Sequence, residues 1–127
     1  MSNFTLDLSR FSEKAVKNAE TVVKKIALDM HSRIVERSPV DTGRFRANNN
    51  IAVDANPGTT TESTGSPAVN VDGFKIGQTI FLFNNLEYAM ALEMGHSKQA
   101  PGPGGIYRLS FNEVASNVGA YAVEVNT

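Results

Sequence analysis

The chain has 127 residues, no cysteine, no tryptophan and a net charge of −1 at neutral pH. Its length is typical of one domain, and the lack of cysteine excludes disulfides and thiolate metal sites. Its N-terminus has no basic segment followed by an apolar stretch, and no apolar run reaches the length of a membrane span. We therefore expect neither a signal peptide nor a transmembrane helix.

The charges are divided unevenly along the chain. Residues 1–46 hold nine Lys and Arg against six Asp and Glu, whereas residues 47–127 hold three against seven. Such a division could make one face of a subunit complementary to another. Scatter over a solvated surface explains it equally well.

The first predicted element is an amphipathic helix over residues 12–37. Its apolar residues recur at steps of three and four, and Glu20 with Lys24 forms a favourable i,i+4 pair. Pro39 disfavours helical geometry in the residue before it, so the helix should end there. Four lysines of this helix suggest nucleic-acid binding, but interleaved acidic residues favour a solvated helix face. The four lysines are Lys14, Lys17, Lys24 and Lys25.

The segment SPVDTGRFRANN, residues 38–49, follows the helix. Its proline, aspartate and glycine are turn residues and account for residues 38–43. They leave the next three residues unexplained. Arginine and exposed aromatic side chains are enriched at interfaces, so Arg44, Phe45 and Arg46 raise the question whether the segment only turns the chain or also reaches a partner.

Three strands and a long loop are predicted in the middle of the chain. Residues 47–53 form the first strand, and residues 54–68 are rich in Thr, Ser, Gly and Pro, which predicts a flexible loop. The other strands are expected at 69–72 and 78–84, with Asp72-Gly73 as a hairpin signal between them.

The last third predicts a short helix and a closing helix. Residues 85–95 have helical spacing, with Asn85 as a candidate N-cap and Gly95 as a candidate C-terminal residue. A second helix is expected from Tyr107 onward. The predicted fold class is α+β in a single domain of residues 1–127, with the long N-terminal helix packed on a small antiparallel sheet.

Candidate chemistry is limited. His31 could bind a metal with Glu36 or His96, but an i,i+5 pair lies on different helix faces, which favours a polar surface histidine. Glu93 and His96 are close in sequence and could support acid–base catalysis. An interaction of His96 with the helix C-terminus explains that pair as well. We predict no catalytic residue, no metal site and no cofactor.

Three segments occur in a fixed order: RSPVDTGRFRANN, TIFLFNNLEYAMALEMGHSKQAP and the short apolar GIYRLS. They resemble the neck or tail-completion family of tailed bacteriophages, the gp-ten-like tail component group. The resemblance covers about half of the chain directly. It implies a structural virion protein rather than an enzyme, with a fold related to that of tail-terminator proteins.

The resemblance also implies partners. We expect a homo-oligomeric ring, six- or twelve-fold, at the head–tail interface, where it joins head to tail. Its neighbours would be the head-closure or connector protein and the tail terminator or tail-tube proteins. Channel DNA would pass through without sequence-specific binding, and the ring would assemble in the host bacterial cytoplasm before residing in the virion.

Each of the two longer segments contributes candidate interface residues. These are Arg44, Phe45, Arg46, His96, Ser97, Lys98 and Gln99. Tyr88, Ala89 and Leu92 are expected to pack into the core. Two other functions remain open from the residues alone: a small nucleic-acid-binding module that uses the lysines and arginines, and a hydrolytic enzyme built on Glu93 and His96.

Overall fold

The computed structural model describes residues 2–39, 43–65, 67, 69–94 and 105–126, and side chains from residues 13 to 123 within those ranges. The fold is α+β, as predicted, with a long N-terminal helix, a two-stranded sheet and short C-terminal helices. The elements are α1 (Ser2–Arg37), α2 (Arg44–Ala47), β1 (Asn50–Val53), β2 (Ile80–Phe83), α3 (Ala89–Glu93), α4 (Tyr107–Ser116) and α5 (Val118–Asn126).

Helix α1 begins ten residues earlier than predicted. Residues 2–11 contain neither Gly nor Pro, so nothing in the sequence interrupts the helix there. Its 36 residues correspond to about 54 Å. The helix ends where Ser38 turns back, with its hydroxyl donating to the carbonyl of Ile34 at 2.7 Å. Within the described ranges, no helix combines the length and apolar character needed to cross a bilayer.

The sheet pairs β1 with β2 in antiparallel register, from Asn50 opposite Phe83 to Val53 opposite Ile80. The predicted strand at 69–72 and its hairpin with the next strand are therefore wrong. Asp72-Gly73 instead occupies a turn in which the amide of Phe74 donates to the carbonyl of Val71 at 3.1 Å. Val71 and Phe74 are both buried, although neither belongs to a strand. Strand β2 pairs instead with β1, which lies much earlier in the chain.

The predicted strand over 47–53 is only partly correct, because the chain is helical in α2 and extended only from Asn50 onward. Asp54 ends β1 with a φ of 69°, a left-handed conformation that aspartate tolerates. Its carboxylate accepts from the amide of Thr79 and the side chain of Gln78, both at 3.0 Å. The exposed segment that follows has no regular secondary structure through residue 65, and its flexibility stays a prediction.

The short helix is confirmed but spans only Ala89–Glu93. Asn85 is not its N-cap, because the Asn85 amide instead donates to the Asn56 side chain at 2.9 Å and to the Thr59 carbonyl at 3.1 Å. Gly95 lies outside the described residues. The predicted closing helix is divided at Asn117 into α4 and α5.

The core lies where α1, α2, the sheet and α4 meet. It is formed by Ile34, Phe45, Leu86 and Ile106. The predicted packing of the short helix is confirmed, because its side chains are partly buried against this core. They are Tyr88, Ala89 and Leu92. Helices α4 and α5 cover the C-terminal half of α1.

Candidate functional site

Gly43 positions the predicted interface segment. Its φ is 87°, and a Cβ added there would lie 2.8 Å from the carbonyl oxygen of Thr64. Only glycine fits both conditions without strain. The carbonyl of Gly43 accepts from the amide of Ala47 at 3.0 Å, which closes the single turn of α2. The three candidate residues of this segment therefore lie within one closed helical turn.

Phe45 corrects one part of the interface prediction. Its side chain is only 5% exposed, and its ring lies 6.3 Å from that of Tyr88 between centroids, in a tilted arrangement. A short helix after a turn presents one face inward, and Phe45 occupies that face. Its side chain is therefore committed to the core of its own subunit and is not the exposed aromatic that the sequence suggested.

Arg44 and Arg46 differ from each other in their surroundings. The guanidinium of Arg44 lies 2.8 Å from the carboxylate of Glu62, and its Nε donates to the carbonyl of Thr61 at 3.3 Å. Both partners belong to the polar loop of the same chain. The Nε atom of Arg46 is buried and has no hydrogen-bond partner in the described part of the chain. The other predicted interface residues, His96, Ser97, Lys98 and Gln99, lie outside the described residues.

Asn48 binds the polar loop to α2. Its side-chain amide donates to the carbonyl of Thr61 at 2.9 Å, and its side-chain oxygen accepts from the Thr61 amide at 2.9 Å. This pair of bonds satisfies both polar groups of a fully buried asparagine. The loop is thus held close to Arg44 at Thr61.

Asn49, also fully buried, connects four parts of the fold. Its amide donates to the Ser38 hydroxyl at 2.7 Å, and its side-chain oxygen accepts from Asn84 at 3.1 Å and from the Tyr107 hydroxyl at 2.9 Å. Its backbone carbonyl lies 2.7 Å from Nε2 of His31. A carbonyl oxygen only accepts, so His31 must carry a proton on Nε2.

His31 is therefore a buried structural residue, 4% exposed, and the predicted polar surface histidine is wrong. It faces the interior because α1 is covered on that side by the segment that carries Asn49. Burial also raises the pKa of Tyr107, and the nearby charge of Glu93 adds to this effect. The Tyr107 hydroxyl therefore stays protonated and able to donate to Asn49.

Glu93 caps the N-terminus of α4. Its Oε1 accepts from the amides of Ile106 and Tyr107 at 2.9 and 2.7 Å, and its Oε2 accepts from the amide of Arg108 at 3.2 Å. A carboxylate at this position satisfies amides that lack helical partners and interacts favourably with the helix dipole. Gly105, with a φ of 86°, leaves room for it, since a Cβ there would lie 2.3 Å from Oε2.

A charged cluster joins α1 to α4 and α5. Glu113 accepts from Arg37 at 2.7 and 2.5 Å and from Arg33 at 2.9 Å. These bonds lower the pKa of Glu113 from its ordinary value of 4.5 to about 2. Arg33 also pairs with Asp29, which accepts from the Tyr121 hydroxyl of α5. The cluster fixes the packing of three helices.

The arrangement is better suited to packing than to catalysis. The buried hydroxyls of Ser38 and Ser110 donate to helix carbonyls one turn earlier, so neither is activated by a base. Glu93 has both oxygens occupied by backbone amides. Among the residues that the structure describes, no three His, Asp or Glu side chains are grouped to hold a metal.

An apolar groove of about 630 Å³ lies beside this network, between β2 and α3. Phe83, Leu86 and Met90 line it together with Phe45 and Tyr107. Met90 is 70% exposed. Sequence analysis missed this groove and the buried asparagines, because neither type of feature has a periodic signature. Glu93 was noticed only as a possible acid–base residue.

The family model described as "Bacteriophage HK97-gp10, putative tail-component" matches residues 2–95. This range includes α1, α2, the sheet and α3, and with them Asn49 and Glu93. No curated protein and no solved structure gave a significant match.

Proposed function

The chain belongs to the HK97-gp10-like family of bacteriophage tail components, and on that basis we propose that it acts in the neck or tail-completion complex. There it forms a homo-oligomeric ring at the head–tail interface and is needed for joining head to tail. The ring is six- or twelve-fold, and it is assembled in the cytoplasm of the host bacterium. It then remains in the virion.

One observation carries the assignment to a structural rather than a catalytic role. The polar side chains that could support chemistry are engaged inside the subunit: Glu93 caps a helix, Asn49 joins four segments, and His31 donates to a backbone carbonyl. Large apolar side chains are meanwhile exposed, Met90 and Phe111 among them. Met90 borders the apolar groove between β2 and α3, and exposed contiguous apolar surface is typical of a subunit that assembles with others.

The partners follow from this role. The ring contacts itself, the head-closure or connector protein on one side and the tail terminator or tail-tube proteins on the other. Arg44 and Arg46, with His96 to Gln99, are proposed to face one of these neighbours. DNA passes through the channel without sequence-specific contacts.

The experiment uses a phage that encodes this chain, with a nonsense codon early in the gene. Electron microscopy of the lysate should show filled heads and finished tails that are not joined, and the intact gene on a plasmid should restore complete particles. Particles that are complete and infectious without the protein would overturn the proposal.

A second candidate function is a small nucleic-acid-binding module. Lys14 and Lys17 are exposed on α1, where they could meet phosphates. Neutralising phosphates releases counterions, so such binding would weaken steeply with salt. Titration of duplex DNA at two salt concentrations decides between the candidates, because a tail component without this activity should bind weakly at both.

A further inference from the structure

The N-terminal half of α1 extends beyond the elements that cover its C-terminal half. Helices α4 and α5 bind α1 at Arg37 and Asp29, and the segment around Ile76 reaches it at Glu20. Residues 13–17, by contrast, are all exposed. The segment at Lys75 borders a cavity with Val16 and Lys17, but Val16 stays 47% exposed.

The exposed part nevertheless carries apolar side chains at helical spacing. Ala15, Val16 and Ala19 are exposed, Val16 to 47%, and they continue the half-buried stripe at Val22 and Val23. Steps of four and three extend the pattern in the sequence toward the N-terminus through Phe11, Leu8 and Phe4. An apolar stripe of this width normally faces another element.

The groove between β2 and α3 is a second apolar feature, and the residues that the structure describes leave it unfilled. Its volume of about 630 Å³ and its lining by Phe83, Leu86 and Met90 suit apolar side chains. Methionine is flexible and adapts to the shape of what it contacts, which fits an exposed Met90 beside a docking site.

The helix of the same subunit cannot fill this groove. Leu86, which lines the groove, packs in the core with Ile34 of α1. Val16 precedes Ile34 by eighteen positions, which is about 27 Å along a continuous helix. The stripe and the groove can therefore meet only between two chains.

We propose that the stripe at Ala15, Val16 and Ala19 docks into the groove of an adjacent copy of this chain. This inference rests on the proposed ring, whose subunit contact it specifies. The contact is head-to-tail, since the helix of one copy meets the groove of the next, and contacts of this type close into rings when the rotation between neighbours completes a full turn.

Charges beside the two features are complementary. Glu13 and Lys17 flank the stripe, and Glu87 and Arg108 line the groove. None of these four side chains has an ion pair in the described part of the chain. Docking would bring lysine to glutamate and glutamate to arginine, which favours one orientation of the helix.

The test uses the absence of native cysteine. Val16→Cys and Met90→Cys are introduced into one chain, which is treated with a short bis-maleimide and run on a denaturing gel. A ladder of covalent multimers is expected. The matched control combines Val16→Cys with Val123→Cys, because Val123 is 65% exposed on α5, none of whose described residues lines the groove. It should give monomers.

A second variant measures the energy of the contact. Val16→Asp should raise the dissociation constant of the assembly by about tenfold or more, because it places a charge in an apolar groove. Val118→Asp is the control, since Val118 is 44% exposed on α5. It should change the constant by less than about twofold. Thermal melting checks that both variants fold, as exposed positions predict.

The outcomes separate this inference from the proposed function. A ring that forms without the ladder and tolerates Val16→Asp would overturn the contact and leave the ring standing. Cross-linking that stops at dimers would overturn the head-to-tail geometry. A chain that stays monomeric would overturn the contact, and the nonsense-codon lysate would then decide separately whether the protein joins heads to tails.

Discussion

Asn49 binds residues that are far apart in the sequence, since its partners are Ser38, Asn84, Tyr107 and His31. The bonds to Ser38 and His31 are buried, and those to Asn84 and Tyr107 are partly buried. A buried polar group without a partner is costly, so a network of this kind accepts one arrangement of the chain only. It fixes the positions of α1, the end of β2 and α4 relative to one another.

Replacing this residue should therefore destabilise the fold. Asn49→Ala leaves the Tyr107 hydroxyl without its acceptor and the Asn84 amide with the Phe45 carbonyl alone, and we expect a loss of about 2–3 kcal/mol in the free energy of unfolding. Urea denaturation measures it. Asn50→Ala is the control, because Asn50 is half-buried and its side chain makes one bond of 3.2 Å. Equal losses for both variants would contradict the network.

Glu113 gives a prediction about pH. Its pKa in the folded subunit is about 2, below its ordinary value of 4.5, because Arg37 and Arg33 bind the charged form. A carboxylate with a lowered pKa stabilises the fold above its unfolded pKa and loses that contribution as pH falls through the folded value. The stability advantage of the natural chain over Glu113→Gln should be constant above about pH 5 and shrink toward pH 2.

Urea denaturation of both chains at a series of pH values measures this advantage. A difference that stays the same down to pH 2 would show that the carboxylate is not bound as the charged form.

At the level of elements, the side chain of Glu93 joins α3 to α4. Glu93 is the last residue of α3, and its carboxylate accepts from three amides at the start of α4. The element that carries the second sequence block is thereby connected to the helix that covers α1. The cap holds the ends of two helices together across thirteen residues of intervening sequence.

Glu93→Ala should weaken this junction. Loss of an N-terminal cap costs about 1–2 kcal/mol, and hydrogen exchange should accelerate at the amides of Ile106, Tyr107 and Arg108. Glu87→Ala is the matched control, because Glu87 is exposed and makes no such bonds in the described part of the chain. Unchanged exchange at the three amides in Glu93→Ala would refute the capping role.

At the level of the whole molecule, the arginine segment has two possible roles. Arg44 pairs with Glu62 of its own chain, which ties the polar loop to α2. The proposed function places the same arginine against a neighbouring protein. An exposed ion pair contributes little to stability, so the two roles can be separated by reversing charges.

Arg44→Glu should change the melting temperature only slightly, because surface pairs contribute less than about 1 kcal/mol. In a phage lysate it should reduce the number of joined particles. Arg44→Glu with Glu62→Lys restores the internal pair in reverse but not the contact with a neighbour, so joining should remain impaired. Complete particles in the double variant would show that Arg44 serves only its own subunit.

The sequence by itself determined the long helix, the α+β class, the strand at β2 and the family. Each of these depends on local spacing or on contiguous motifs: steps of three and four for α1, an apolar run for β2, and two ordered blocks for the family. Such elements can be predicted from a single sequence because the interactions that cause them lie within a few residues.

Only the tertiary structure decided which strands pair, that Phe45 and His31 face inward, and that Glu93 caps α4. Asp72-Gly73 predicted a hairpin because its turn chemistry is local, but strand pairing depends on which apolar surfaces meet across the fold. Polar residues such as Asn49 give no periodic signal. Such residues are buried because their hydrogen-bond partners lie far away in the sequence. Their role is therefore visible in the tertiary structure and not in the sequence pattern.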